Sequence, residues 1–95
     1  MAADSLIGLD LLRADPRFSG LDGSGYSVVV IDHGIDLDHT FFGPDQNQDG
    51  VADRIVFQHD FGDDDLSAQE DNLNGHGTSV ASILASQDPA HPGVA

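Results

Sequence analysis

The stretch Ser27-Val28-Val29-Val30-Ile31-Asp32-His33-Gly34 decides how the rest of the chain is read. Four β-branched apolar residues follow one another with no polar residue between them. A strand with one wet face alternates apolar and polar side chains. An unbroken run predicts burial on both faces, as in a parallel sheet covered by helices. Asp32 then closes the strand at its carboxyl end, where the loops of open α/β sheets border a crevice and functional groups collect. A second strand is expected from Arg54 to Phe61, where Ile55, Val56 and Phe57 supply the apolar signal. A polar loop from Gly43 to Asp53 joins the two, and an acidic loop from Gly62 to Asn74 follows.

Two helices frame this region. Ser5 to Ala14 carries Leu6, Ile7, Leu9, Leu11 and Leu12, with Ser5 as a cap and Asp15-Pro16 as a stop. Gly8 weakens that helix by about 1 kcal/mol relative to alanine. The last helix opens at Gly75-His76-Gly77-Thr78 and ends at Gln87-Asp88-Pro89. Val80, Ile83 and Leu84 stand at i, i+3 and i+4 with Ala81 and Ala85 beside them, which predicts a packed stripe. The order helix, strand, strand, helix predicts an α/β fold. Two strands do not normally support an independent fold, so the sheet is expected to be incomplete and to want neighbours on both edges.

Composition narrows the function. The 95 residues weigh 10.0 kDa, which allows one small domain. Sixteen Asp and one Glu face three Arg and no Lys, for a formal charge of −14. A nucleic-acid binder needs a basic face for phosphates, and adsorption to an anionic membrane needs the same, so neither partner is expected. Zero Cys excludes disulfides, thiolate metal sites and a cysteine nucleophile. No apolar run approaches bilayer length, and Met1-Ala2-Ala3-Asp4 does not open a signal peptide.

Asp32 and His76 are the candidate catalytic residues. A histidine at a helix N-terminus feels the positive end of the dipole, which keeps the ring neutral and basic. A carboxylate beside it stabilises the imidazolium once it forms. Together they meet the needs of a general base with an orienting partner. Read separately, Asp32 could cap a turn and His76 could be a surface cap.

Paired, they carry a specific resemblance. Val29-Val30-Ile31-Asp32-His33-Gly34-Ile35-Asp36 resembles the Asp motif of the subtilisin-like serine peptidases, the subtilases, and Asn74-Gly75-His76-Gly77-Thr78-Ser79-Val80-Ala81 resembles their His motif. Gly23-Ser24-Gly25 and Gly93-Val94-Ala95 match the family's layout, and the order Asp then His is the subtilisin order. The resemblance runs from about Leu6 to Ala95. It implies that residues 1–95 are the N-terminal segment of a catalytic domain, with a partial subtilisin-like three-layer fold and a mostly parallel sheet that is truncated. It implies a serine endopeptidase acting on protein or peptide substrates, the rest of the catalytic domain as partner, and a secreted or extracellular location. Asp32 would orient His76, and His76 would take the proton from a serine hydroxyl and return it to the leaving amine.

The departures are specific. His33 stands where the family usually has Ser or Thr, which would either alter access to Asp32 or add a titrating neighbour to it. Thr40 replaces the proline common after the His39 position. Phe41 occupies a site where many members have a calcium-binding Asp, so that calcium site does not carry over. The nucleophile motif Gly-Thr-Ser-x-Ala-x-Pro and the oxyanion Asn are outside this chain. Gly77-Thr78-Ser79-Val80-Ala81 mimics that motif, but Ser82 and Ile83 follow where its proline would come. Ser79 also sits three residues from His76 on the same helix, where no oxyanion site need face both. The chain alone is therefore expected to be inactive.

Asp45-Gln46-Asn47-Gln48-Asp49-Gly50-Val51-Ala52-Asp53 is a candidate calcium loop. Oxygen ligands from Asp45, Asn47, Asp49 and Asp53, a backbone carbonyl from Val51 and a glycine at the sixth place follow the EF-hand pattern. The twelfth place holds Val56 rather than a bidentate Glu, so a structural Ca2+ would need a further ligand. An Asx-rich surface turn is the plain alternative. A non-catalytic calcium-binding module derived from a subtilase is the alternative function for the whole chain. Asp63-Asp64-Asp65 reads as a solvated charge run. His39 is expected to cap a local turn and Phe41 and Phe42 to pack, and a His39/His59/His76 zinc site has no recognisable spacing.

Overall fold

Past Asp32 the chain closes on itself, and before it the apolar residues stay bare. The structure, a computed structural model, describes residues 3–70 and 75–94. Asn74 at the head of the His motif, Ala95 in the closing tripeptide and the end of the expected acidic loop lie outside the described residues. The elements in order are α1 (Leu9–Ala14), a 3-10 turn over Pro16–Phe18, a second over Thr40–Phe42, and α2 (His76–Ala85).

Helix α1 is shorter than the expected Ser5–Ala14. Gly8 takes a left-handed conformation at φ 77° and becomes the N-cap, with no side-chain hydrogen bond, so Ser5 caps nothing. The stop falls as expected: Asp15 is extended, and its carboxylate accepts from the Arg17 N–H at 2.9 Å to start the 3-10 turn. No residue of α1 is buried.

The expected strands do not form. Among the described residues, β pairing is limited to two isolated bridges, one parallel between Ile35 and Gln69 and one antiparallel between Asp60 and Asp65. A mostly parallel three-layer sheet is thus not present in this structure. Ile31 is 93% exposed and Val29 81%, and Val56, Phe57 and Phe61 also lie open. A strand buried on both faces needs lateral partners for its backbone and a layer on each side for its side chains. Here Ser27–Ile31 has neither. The Asp60–Asp65 pairing folds the Asp63-Asp64-Asp65 run into a tight turn, with the Asp60 carboxylate accepting from Gly62 and Asp63.

The packed part is built from residues beyond Asp32. Phe42, Ala52 and Ala81 form the buried cluster, with Ile35 and Ile55 against it. Long-range backbone bonds hold it: Ile35 N–H to Ala68 O at 2.9 Å, Glu70 N–H to Ile35 O at 2.9 Å, Ala52 N–H to Leu37 O at 2.7 Å and Gln87 N–H to Phe41 O at 2.7 Å. In α2 the buried residues are Gly77 and Ala81, one turn apart, while Ile83 of the expected stripe is half exposed. Small residues let the helix approach backbone closely, and the larger ones border the uncovered side. The Cα radius of gyration is 14.8 Å, whereas a compact domain of this length has about 12 Å. The excess fits an uncovered N-terminal half.

Candidate active site

The first turn of α2 is pressed onto the backbone that leaves Asp32. A Cβ at Gly77 would overlap the carbonyl oxygen of Gly34 and lie 3.4 Å from Asp32 Cβ, so only glycine fits there. Gly34 itself has φ 108°, and a Cβ on it would come 3.0 Å from Ala68 O. The first contact sets the end of the valine run against the helix that begins with His76, and the second sets it against the segment 68–70. The spacing of glycines in both motifs therefore has a steric cause.

The result is a carboxylate–imidazole pair across 44 residues of sequence. His76 Nδ1 lies 2.8 Å from both Oδ1 and Oδ2 of Asp32. The Asp32 side chain is 12% exposed and that of His76 60%. His33 N–H donates to Asp32 Oδ1 at 2.7 Å, and His33 Nδ1 lies 3.4 Å from the same oxygen. The His33 and His76 rings meet edge to face at 6.3 Å. The backbone N–H of His33, followed by the His76 ring, holds the Asp32 carboxyl below the usual carboxylate range. Asp32 is thus a fixed negative charge whose acceptor lone pairs orient Nδ1–H and leave Nε2 free to take a proton.

Ser79 is not part of this arrangement. Its hydroxyl donates to the Gly75 carbonyl at 2.6 Å, back into its own helix. His39 caps the 3-10 turn, its Nδ1 accepting from the Phe41 N–H at 3.2 Å, while Phe42 is in the core and Phe41 stacks on His91. His39, His59 and His76 do not gather. Among the described residues the trio with metal-ligand spacing is Asp32, His33 and His76.

The loop expected to hold calcium, Asp45–Asp53, is curled by its own backbone, and its carboxylates are not gathered at metal-ligand spacing. Asp45 accepts from Asp49 N–H at 3.2 Å and from Gly50 N–H at 2.8 Å. Asn47 Oδ1 accepts from Asp49 N–H at 3.3 Å, and Asp53 Oδ1 from Gln46 N–H at 3.2 Å. Asp49 accepts from the Val51 N–H at 2.9 Å, with Gln48 in the left-handed region at φ 59°.

Sequence reasoning missed a buried network beside the pair. Glu70 is 7% exposed; its Oε2 accepts from the Thr78 hydroxyl, and Thr78 Oγ1 accepts from the Asp36 N–H at 2.8 Å. The other oxygen of Glu70 is buried without a hydrogen-bond partner. Glu70, Thr78, Asp36, Gln69 and Ser79 line a cavity of about 320 Å³. The one available signal was that Glu70 is the single glutamate among seventeen acidic residues.

This chain belongs to the subtilase family, whose family profile matches residues 23–95. Membership carries an α/β fold and kinship with serine peptidases. An intracellular serine protease of Paenibacillus polymyxa is 34% identical over 83 residues, covering 85% of this chain and 23% of its own length. Thermitase of Thermoactinomyces vulgaris is 32% identical over 88 residues, covering 93% of this chain and 28% of that enzyme. A serine protease/ABC transporter B family protein of Dictyostelium discoideum is 33% identical over 75 residues, or 79% of this chain and 4% of that protein. The chain therefore spans less than a third of the length of each of these curated relatives. No solved structure matches it. The first relative is named as an intracellular enzyme, so membership does not carry the secreted location expected from the resemblance. No helix among the described residues is long and apolar enough to cross a membrane.

Proposed function

We propose that residues 1–95 are the N-terminal segment of the catalytic domain of a subtilisin-like serine endopeptidase. They contribute Asp32 and His76 to an Asp-His-Ser triad whose serine and oxyanion Asn lie further along. The observation that carries this reading is the 2.8 Å contact of His76 Nδ1 with both oxygens of Asp32. Asp32 holds the tautomer in which Nε2 is the base, and it stabilises the imidazolium that forms when the serine proton arrives. The same proton then goes to the leaving amine. Substrates are proteins or peptides. The bare faces of Val28–Ile31 support the rest of the domain as partner, since added strands and helices would cover them.

The test compares the 95-residue chain with the enzyme that carries the downstream serine, using a fluorogenic peptide. The chain alone turns over nothing above buffer. In the complete enzyme Asp32→Asn lowers kcat by about 10⁴-fold, and His76→Ala abolishes measurable acylation. Serine-reagent-sensitive turnover by the chain alone would sink this reading, and so would full activity in His76→Ala.

The loop Asp45–Asp53 supports a structural Ca2+ as a second feature. Backbone N–H groups of the loop donate to oxygens of Asp45, Asn47 and Asp49, each of which keeps a second lone pair, and a cation would have to draw these oxygens together. Asp53 and the Val51 carbonyl complete the set, with water in place of the missing twelfth ligand. If the triad reading fails while calcium binds, the chain is a non-catalytic calcium-binding module. Calcium titration by calorimetry should release or absorb heat and raise Tm; no heat and an unchanged Tm remove the site.

A further inference from the structure

We propose that Asp32, His33 and His76 form a binding site for a divalent transition ion of the zinc type, and that filling it removes His76 as a base. The inhibitory half rests on the triad reading above; the binding half does not.

Each of the three side chains offers one ligand atom, and these atoms lie within 4.8 Å of one another. A tetrahedral zinc bonded at about 2.0–2.1 Å spaces its ligands about 3.3 Å apart. Asp32 Oδ1 is already 2.8 Å from His76 Nδ1 and 3.4 Å from His33 Nδ1. Only the two rings must close on each other, and both are exposed enough to turn, His33 at 79% and His76 at 60%. Two imidazoles and one carboxylate suit zinc, copper or nickel rather than calcium, which prefers hard oxygen ligands. The fourth position faces water. A chain of net charge −14 also raises the local concentration of any cation.

The consequence follows from which nitrogen is used. In both rings Nδ1 faces the carboxylate. An ion bound there takes the Nδ1 lone pair, so the neutral ring's single proton is carried through solvent from Nδ1 to Nε2 with no net release. That nitrogen then has no lone pair for a serine proton. The ion is therefore an inhibitor and not a cofactor, and His33 is the residue that makes the third ligand available.

The test titrates the full chain with Co2+ alone and then with Zn2+ as competitor. Tetrahedral Co2+ should give visible ligand-field bands that Zn2+ abolishes. His33→Ser should weaken zinc binding at least tenfold, since even groups behind a metal ligand are worth 10–100-fold. His59→Ala, remote from the trio, should leave it unchanged. His33 is exposed, so His33→Ser keeps the fold, and circular dichroism verifies this. In the complete enzyme, Zn2+ should lower activity and a chelator restore it, with the ratio of zinc-free to zinc-loaded rates collapsing toward one in His33→Ser. Zinc affinity unaffected by His33→Ser overturns the site. Binding that depends on His33 in a protein without peptidase activity upholds the site and overturns only the function proposed above.

Discussion

The two apolar stretches that bring in Asp32 and His76 have opposite fates. Val28–Ile31 is bare, with Ile31 93% exposed, while α2 buries Ala81 in the Phe42–Ala52 cluster and Gly77 against the Gly34 carbonyl. A helix satisfies its own backbone and needs one covered face. A strand of this composition needs a partner at each edge and a layer on each side. The helix therefore docks on what the chain supplies locally, and the strand does not. The Asp32–His76 pair sits on the seam between them, where Gly77 lies against the Gly34 carbonyl, and not on a sheet. The geometry of the pair thus stands without a sheet around it.

The largest effect should come from Gly77→Ala. Its Cβ would overlap the Gly34 carbonyl, and backbone on both sides leaves no flexible side chain to yield. We expect about 4 kcal/mol of destabilisation. The downfield Nδ1–H resonance of His76 should disappear with it. Retention of both Tm and that resonance would mean the seam is not held by this contact.

Thr78→Val comes next. It removes the donor to Glu70 Oε2 and the acceptor of the Asp36 N–H, and Glu70 already has one buried oxygen without a partner. Leaving such groups unsatisfied costs about 1–3 kcal/mol each, so a loss of about 2 kcal/mol is expected in chemical denaturation. On the bare side, Ile31→Ala should cost less than about 0.5 kcal/mol in this chain. In the catalytic domain proposed above, if further strands and helices cover this stretch, the same change should cost about 2–5 kcal/mol. Equal costs in both settings would erase the distinction between the halves.

The site was more legible than the fold. Asp32 after an apolar run and His76 between two glycines are local patterns, and their meeting at 2.8 Å needs only the close approach that those glycines permit. The valine run announced a buried strand, yet burial is a property of partners, and residues 3–70 and 75–94 supply none for it. Helix α1 lost its first turn because Gly8 is as content in the left-handed region as in the helix. Glu70 is marked in the sequence only as the single glutamate, which says nothing of its burial. Its burial depends on the pairing of residues 68–70 with Ile35, a contact across more than thirty residues. His33 was visibly odd beside Asp32, but its facing of His76 is a tertiary fact.

The smallest effect, and the sharpest probe of the seam, is the acid titration of Asp32. The folded protein depresses this carboxyl, so its contribution to stability is present above the ordinary carboxylate value and is lost as pH falls through the depressed one. The larger cause is the His33 backbone N–H, at 2.7 Å, and the second is the His76 ring. Replacing the His33 side chain leaves that N–H in place, so in His33→Ser the carboxyl should stay depressed. His76→Ala should raise it only part of the way. Carbonyl-carbon NMR shifts followed through the acid range separate the two causes. If His76→Ala returned Asp32 to the ordinary range, the helix alone would be holding the carboxylate, and the turn that ends the valine run would contribute nothing to the charge at the site.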